Sequence, residues 1–315
     1  MSEPLLFDAV SDFAEGLAMV RDGEQVGYIN PKGHLQVTVA DANVGVAANF
    51  SEALAVARVG SYYGYLNRQG DWGIEVQFQE AKSFHQGRAA VKQNNRYGYI
   101  DTEGSWVVEP QYELAEDFAQ GRAVVKQAGL YGYVDLDGAL AIEPQFQDAW
   151  RFTEERAVVR IDNRYGYLKP DGELAVPASY DGAFSFADGL ARVRVEDAFG
   201  FITPDGEWAI EPTLSFAADF SEGLAAVLID GQWGYVDQTG RVAIAPQFDY
   251  AGNFSEGLAA VQQQGRYGYI DPQGRWVIEP VYSNAGAFSE GFARVQLQQR
   301  WGFIDPQGRL LGAAP

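Results

Sequence analysis

An all-β tandem-repeat fold is predicted for this chain on three observations. Eight phenylalanines (Phe50, Phe84, Phe118, Phe152, Phe186, Phe220, Phe254 and Phe288) recur at intervals of 34 residues, and Phe13 precedes them by 37. A glycine recurs in step with them, at Gly33, Gly70, Gly104, Gly138, Gly172, Gly206, Gly240, Gly274 and Gly308. No window carries the 3.6-residue apolar period of a helix over three turns. Spacing this strict means one supersecondary unit copied nine times, with neighbouring copies burying what a single copy cannot.

The copy from Phe254 to Ala287 shows the unit element by element. Its first strand, Leu258-Ala259-Ala260-Val261, puts Ala259 and Val261 on one face, and that alanine is present in all nine copies. A short loop, Gln263-Gln264-Gly265, leads to the second strand, where Tyr267 and Tyr269 point one way and Gly268 and Ile270 the other. Asp271-Pro272-Gln273-Gly274 has the chemistry of a type I turn followed by a left-handed glycine. A side chain at that glycine costs about 1–2 kcal/mol. The third strand follows as an antiparallel partner, with Trp276 and Ile278 on one side. The unit therefore reads as a three-stranded meander. Strands apolar on both faces are covered on both faces, and burying one ring is worth roughly 2–3 kcal/mol, so copies must stack.

Residues 1–315 read as one array, with units starting near residues 13, 50, 84, 118, 152, 186, 220, 254 and 288 and residues 1–12 completing or capping it. An open curved β-solenoid is expected, because the terminal copies look like caps. The first carries extra residues between Thr38 and Asn49, and the second has Ala53 where glycine is usual. A closed propeller-like ring is the alternative. In it the N-terminal Pro4 to Ala9, which has the closing phase of a unit, would complete the last copy, which stops at Leu310 to Pro315 before that phase.

The pattern Phe-Ser-Glu-Gly-Leu-Ala, then aromatic-Gly-aromatic-Ile-Asp, then Gly and Ile-Glu-Pro, resembles the WG (KWG) repeat of bacterial proteins. Trp233-Gly234 and Trp301-Gly302 carry the pair itself; Tyr63, Tyr97, Tyr131, Tyr165 and Tyr267, or Phe199, replace the tryptophan elsewhere, and Val26 replaces it in the first copy. The resemblance covers essentially the whole chain. It implies a β-structured binding or scaffold module without enzymatic activity, and it supplies no catalytic residues.

Composition narrows the function classes. The net charge of −20 repels nucleic acid and anionic membranes at long range. Cysteine is absent, and the two histidines, His34 and His85, hold unrelated positions. No apolar run approaches the roughly 20 residues a spanning helix needs, and the Met1-Ser2-Glu3-Pro4 start lacks a secretory leader. A cytoplasmic protein with no cofactor and no metal is expected. Asp135-Leu136-Asp137-Gly138 has the start of a calcium loop without its later ligands, and none of the common hydrolase, zincin or phosphate-loop motifs occurs.

The candidate binding residues are cations that break the repeat. Four residues after the repeat phenylalanine stand Arg88, Arg122 and Arg156; eight after it stand Arg21, Arg58, Lys92, Lys126, Arg160 and Arg194. Both offsets fall on one face of a strand, which would align a basic ladder over units one to six. It suits an acidic peptide or protein surface. The structural alternative pairs these cations with acids such as Glu109, Glu143 and Glu211. The expected function is a non-enzymatic scaffold for protein–protein interaction. A lectin-like carbohydrate module, using Trp72, Trp106, Trp208 and Trp276, is the alternative, although Leu140, Leu174, Val242 and Leu310 also fill that position. Partner identity and oligomeric state stay open.

Overall fold

Antiparallel pairing of the apolar segments gives nine sheets among the described residues, eight of four strands and one of three, each in consecutive order. The computed structural model describes residues 4–41 and 43–312. The parts of the sequence reading that fall on residues 1–3, Ala42 and residues 313–315 lie outside them. In blade 4, which is representative, the strands are Leu114–Ala115, Arg122–Gln127, Leu130–Asp135 and Leu140–Phe146.

The expected three-stranded meander is corrected to four strands. The added strand precedes the repeat phenylalanine and is only two residues long in several blades, as at Leu114–Ala115 and Asp148–Ala149. Two residues cannot show the alternation by which a strand is recognised in sequence.

Glycine is required at two places in each unit. At the hairpin turn the recurring glycine has φ between 76° (Gly274, Gly308) and 89° (Gly172). In blade 4 the turn is tied by Asp135, whose Oδ1 accepts from the amides of Asp137 at 3.1 Å and Ala139 at 2.9 Å. On the third strand, a Cβ on Gly132 would sit 2.6 Å from the Ile142 carbonyl oxygen. Only glycine allows the bulged fourth strand to come so close.

Consecutive blades are joined by a buried tyrosine. The Tyr133 ring lies against Phe152 at 5.1 Å, and its hydroxyl donates to the Trp150 carbonyl at 2.9 Å. The same pair of contacts joins Tyr28 to Phe50, Tyr99 to Phe118, Tyr167 to Phe186, Tyr235 to Phe254 and Tyr269 to Phe288. Burial pushes these phenols well above their ordinary titration range. A second clasp runs on the surface. The side chain two residues after the repeat phenylalanine accepts from the next copy's turn amide, as Gln86 does from Gly121 (2.8 Å) and Glu256 from Gly291 (2.8 Å).

Two compact units divide the chain: Met1–Gly60 with Leu66–Trp72 and Phe220–Pro315, and Ser61–Tyr65 with Gly73–Asp219. The first contains the first and last copies, and there the expected open stack is overturned. Phe303 packs on Phe13 at 4.9 Å, Glu290 accepts from the Gly16 amide at 2.8 Å, and Ser289 donates to the Phe13 carbonyl at 2.9 Å. These are the contacts that link consecutive copies. Phe7 also exchanges two backbone hydrogen bonds with Trp301, both 2.8 Å, so the N-terminal segment completes the ninth sheet. The expected open β-solenoid is therefore overturned, and the alternative, a propeller-like arrangement of four-stranded blades whose first and last copies join, fits.

The supposed caps have other roles. The extra residues of the first copy run into the long strand Val44–Ser51 that opens blade 2. Ala53, at φ 64°, has its amide held by Glu15. A copy carrying the same tyrosine and phenylalanine surfaces as its neighbours leaves an apolar face open at any free end, and closure covers it.

The inter-blade tyrosine gives a graded test. Tyr99→Phe, which keeps the ring and removes the hydroxyl bond, should cost about 1 kcal/mol. Tyr99→Ala should cost about 3–5 kcal/mol. Denaturant unfolding of the two variants beside the parent measures both.

Candidate functional site

The predicted cations divide between the two units. Arg21 and Arg58 are exposed in the first unit; the other seven belong to the second. Arg88 donates through Nε to the Leu136 carbonyl of the following blade at 3.0 Å and through Nη1 to Gly87 at 2.9 Å. Arg156 does the same to Pro204 (3.2 Å) and Glu155 (3.0 Å). Arg122 reaches Gly121 at 3.0 Å, and its buried Nε has no hydrogen-bond partner. All three arginines are half-buried, and Arg88 and Arg156 brace one blade against the next.

The offset-eight cations are less uniformly engaged. Lys92 pairs with Glu80 at 2.6 Å and lies 5.3 Å from the Tyr97 ring centre. The Lys92 ammonium, and then the Tyr97 hydroxyl, hold the Glu80 carboxyl below the usual range. Arg194 donates to the carbonyls of Glu196 (3.2 Å) and Asp181 (3.1 Å). Lys126 sits 4.9 Å over the Tyr131 ring. Neither Lys126 nor Arg160 has an ion-pair partner among the described residues, and the same holds for the exposed Glu109, Glu143 and Glu211.

Lys126 and Arg160 flank a cleft of about 540 Å³ in the second unit, lined by Leu114, Glu116, Asp117, Tyr131, Asp148, Ala149, Trp150, Arg151 and Ser185. Lys126 stands in register with Leu114 and Tyr131, and Arg160 with Asp148. The wall is built by the short first strands of successive blades, where the alanine faces inward and the residues around it are left to vary. Trp150 is half-buried and meets the Phe184 ring edge-on at 5.9 Å. Glu116 is paired with Lys82.

Asp117 is the cleft's unusual acid. Burial raises its carboxyl above the ordinary range, against the opposing pull of Lys82, His85 and Arg151. Its Oδ1 is buried without a hydrogen-bond partner, and His85 Nε2 lies 3.7 Å from Oδ2. No group of acids and histidines able to hold a metal occurs among the described residues. Asp135, the start of the apparent calcium loop, is used by its own turn.

Three of the four tryptophans considered for sugar binding meet a ring of the preceding blade, and Trp208 stays 38% exposed. Trp106 meets Phe78 at 6.0 Å, Trp208 meets Tyr180 at 6.0 Å and Trp276 meets Phe248 at 5.9 Å, all edge-on against the preceding blade.

A family model described as "WG containing repeat" matches residues 3–24, 63–97, 97–131, 131–165, 165–197, 199–233, 233–267 and 267–300. The chain belongs to the WG-repeat family. No curated protein matches this WG-repeat chain. Among solved structures, the crystal structure of "the eukaryotic initiation factor" superposes with a TM-score of 0.63 at 12% identity, over 98% of this chain and 92% of its own. That likeness is one of fold alone. PorZ, from the type-IX secretion system of Porphyromonas gingivalis, aligns over 96% of this chain but 46% of its own, at 13% identity and TM-score 0.36. The dihydro-heme d1 dehydrogenase NirN aligns over 94% and 76%, at 11% identity and TM-score 0.49. Neither bears on the function of the WG-repeat protein.

Three features of the site were not singled out from the sequence. Trp150 and Arg151 stand two and one residues before the repeat phenylalanine, where other copies carry Lys82-Ser83, Glu116-Asp117 and Phe184-Ser185. Variation at a fixed place in an otherwise strict repeat was the available signal. Arg192 is the other case, standing where most copies have alanine or valine. It is the one buried charge among the described residues, 3.7 Å over the Phe184 ring and bonded to Asp219 at 3.0 Å.

Asp117 makes stability depend on pH with a definite sign. Because its folded-state carboxyl is raised, the folded protein holds a proton that the unfolded chain has lost, over the window from the ordinary carboxylate range up to the raised value. Stability therefore falls as pH rises through that window and stays lower above it. Asp117→Asn, matching the Asn49 and Asn253 of other copies, should melt at a higher temperature than the parent at pH 7. That gain should vanish below the ordinary carboxylate range in melts followed across pH.

Proposed function

We propose that this WG-repeat protein is a non-enzymatic, cytoplasmic scaffold that captures another protein through the cleft of its second unit. Trp150 and Tyr131 would receive an apolar or aromatic side chain, and Lys126, Arg151 and Arg160 acidic ones. The observation carrying this reading is the lining: the cleft collects residues that differ from copy to copy, several of them on the short segments between the two-residue strands and the repeat phenylalanine, which the repeat anchors at both ends. Rigid elements presenting variable side chains are the usual design of a recognition surface.

The cations Lys126 and Arg160 beside the cleft, with Arg151 in its lining, support an acidic segment as the partner, set on that side and away from the Glu116, Asp117 and Asp148 that also line it. Lys126 and Arg160 lack carboxylate partners among the described residues, so their charge is available to an incoming acid. The net charge of −20 opposes such a partner only at long range, and beyond about 8 Å that field is screened at physiological ionic strength. The same net charge disfavours nucleic acid and anionic lipid. A cysteine-free chain needs no oxidising compartment, which supports the cytoplasmic assignment.

Affinity capture from lysates of the native host tests the scaffold. The parent and an off-cleft control, Arg266→Glu, should retain the same proteins. The double variant Lys126→Glu/Arg160→Glu, and separately Trp150→Ala, should lose them by about tenfold with little change in melting temperature. Equal capture by all four proteins removes the reading.

A further inference from the structure

The first blade lacks a pair of rings that five other blades share, and a cavity lies where they would be. In five other blades the third strand's aromatic residue faces another ring across the fourth strand: Tyr97 with Tyr112, Tyr131 with Phe146, Tyr165 with Tyr180, Trp233 with Phe248 and Tyr267 with Tyr282; in the sixth, Phe199 faces Leu214. In blade 1 the third-strand position is Val26. Its fourth strand ends at Thr38, paired with Gly27, before the position of the second ring is reached. After one more backbone bond, from the Val39 amide to the Val26 carbonyl at 3.4 Å, the chain leaves the ladder for the residues peculiar to this copy.

The space left is about 630 Å³, well within the size of a small-molecule site. Leu5 and Phe7, which complete the ninth blade, form one wall; Val20, Val26 and Val44 form much of the rest. Leu35 folds over Gly27, its Cδ1 2.7 Å from where a Cβ on that glycine would stand, and remains 56% exposed. The apolar lining is thus open to solvent on one side.

Among the described residues, every charged one lining the cavity is a carboxylate: Asp22, Glu24 and Asp41. Arg300 occupies Asp22, at 2.6 Å. Glu24 has no ion-pair partner among the described residues. Asp41 accepts from the backbone amide and side chain of Asn43, both at 2.9 Å, which fixes the carboxylate at the rim. An apolar slot shaped by two absent rings, under an acidic rim, specifies both halves of an occupant.

We propose that this cavity binds a small planar aromatic cation, with its ring in the slot left by Val26 and its ammonium group at Glu24 and Asp41. The site lies in the first unit and does not depend on the protein-binding cleft.

Isothermal titration of the full chain with naphthylmethylammonium, naphthylmethanol and naphthoate tests the assignment. Saturable binding of the ammonium compound is expected, with the alcohol about tenfold weaker and the carboxylate not bound. Val26→Trp, which restores a ring, should weaken the ammonium compound by about tenfold or more; Leu35→Trp, filling the cavity from its open side, should do the same if Val26→Trp fails to fold. Glu24→Gln should narrow the preference for ammonium over alcohol. Absence of saturable binding overturns the proposal. So does binding that neither filling variant weakens, or equal affinity for the ammonium and carboxylate compounds.

Discussion

The structure depends on one contact: a buried tyrosine ring set against the next copy's phenylalanine, with the tyrosine hydroxyl on a backbone carbonyl beside it. The ring contact is apolar and non-directional, and alone it would tolerate sliding between blades. The hydroxyl removes that freedom, because a buried phenol without an acceptor costs as much as a lost hydrogen bond. Where Phe303 takes the tyrosine's place, at the junction with Phe13, the ring contact remains at 4.9 Å. Register there is carried by the Glu290 and Ser289 bonds instead.

This constraint sorts the residues into two classes. Those that make the array (the buried ring, tyrosine except at Phe201 and Phe303, the repeat phenylalanine, the turn glycine and the strand glycine) keep their chemistry from copy to copy. The remainder are free to vary, and the variation that matters here lies on the segments just after the short first strands and on the first blade. Trp150, Arg151 and Asp117 arise in the first way; Val26, Leu35 and the segment after Thr38 in the second. Specificity in such a fold comes from departures from the repeat, since the repeated parts are consumed by packing.

Much of this was legible in sequence because it rests on local rules. The recurring glycines read as left-handed turn positions, and all nine have positive φ. The constant Ala259 read as a buried face, and it is fully buried. What failed was non-local. A two-residue strand such as Asp148–Ala149 has no periodicity to detect, so the blade lost its fourth strand in the reading. Closure was weighed against an open stack on the evidence of atypical copies, yet Ala53 and the Thr38–Asn49 stretch are irregular for local reasons. The partners of the cations were misplaced for a related cause. Arg88 and Arg156 reach carbonyls 48 residues away, a distance set by stacking geometry that no strand-face argument supplies. The cleft itself was invisible, since it is assembled from three copies by residues that share no motif.

The claim that the last copy grips the first as each copy grips the next is tested most directly by comparing Phe13→Ala with Phe152→Ala. Both side chains are 2% exposed, one at the junction of the chain's two ends and one between interior copies. Denaturant unfolding should show equal losses for the two, about 3–5 kcal/mol each. A Phe13→Ala loss below about 1 kcal/mol beside a full loss for Phe152→Ala, as fraying of an open end would give, would contradict the account.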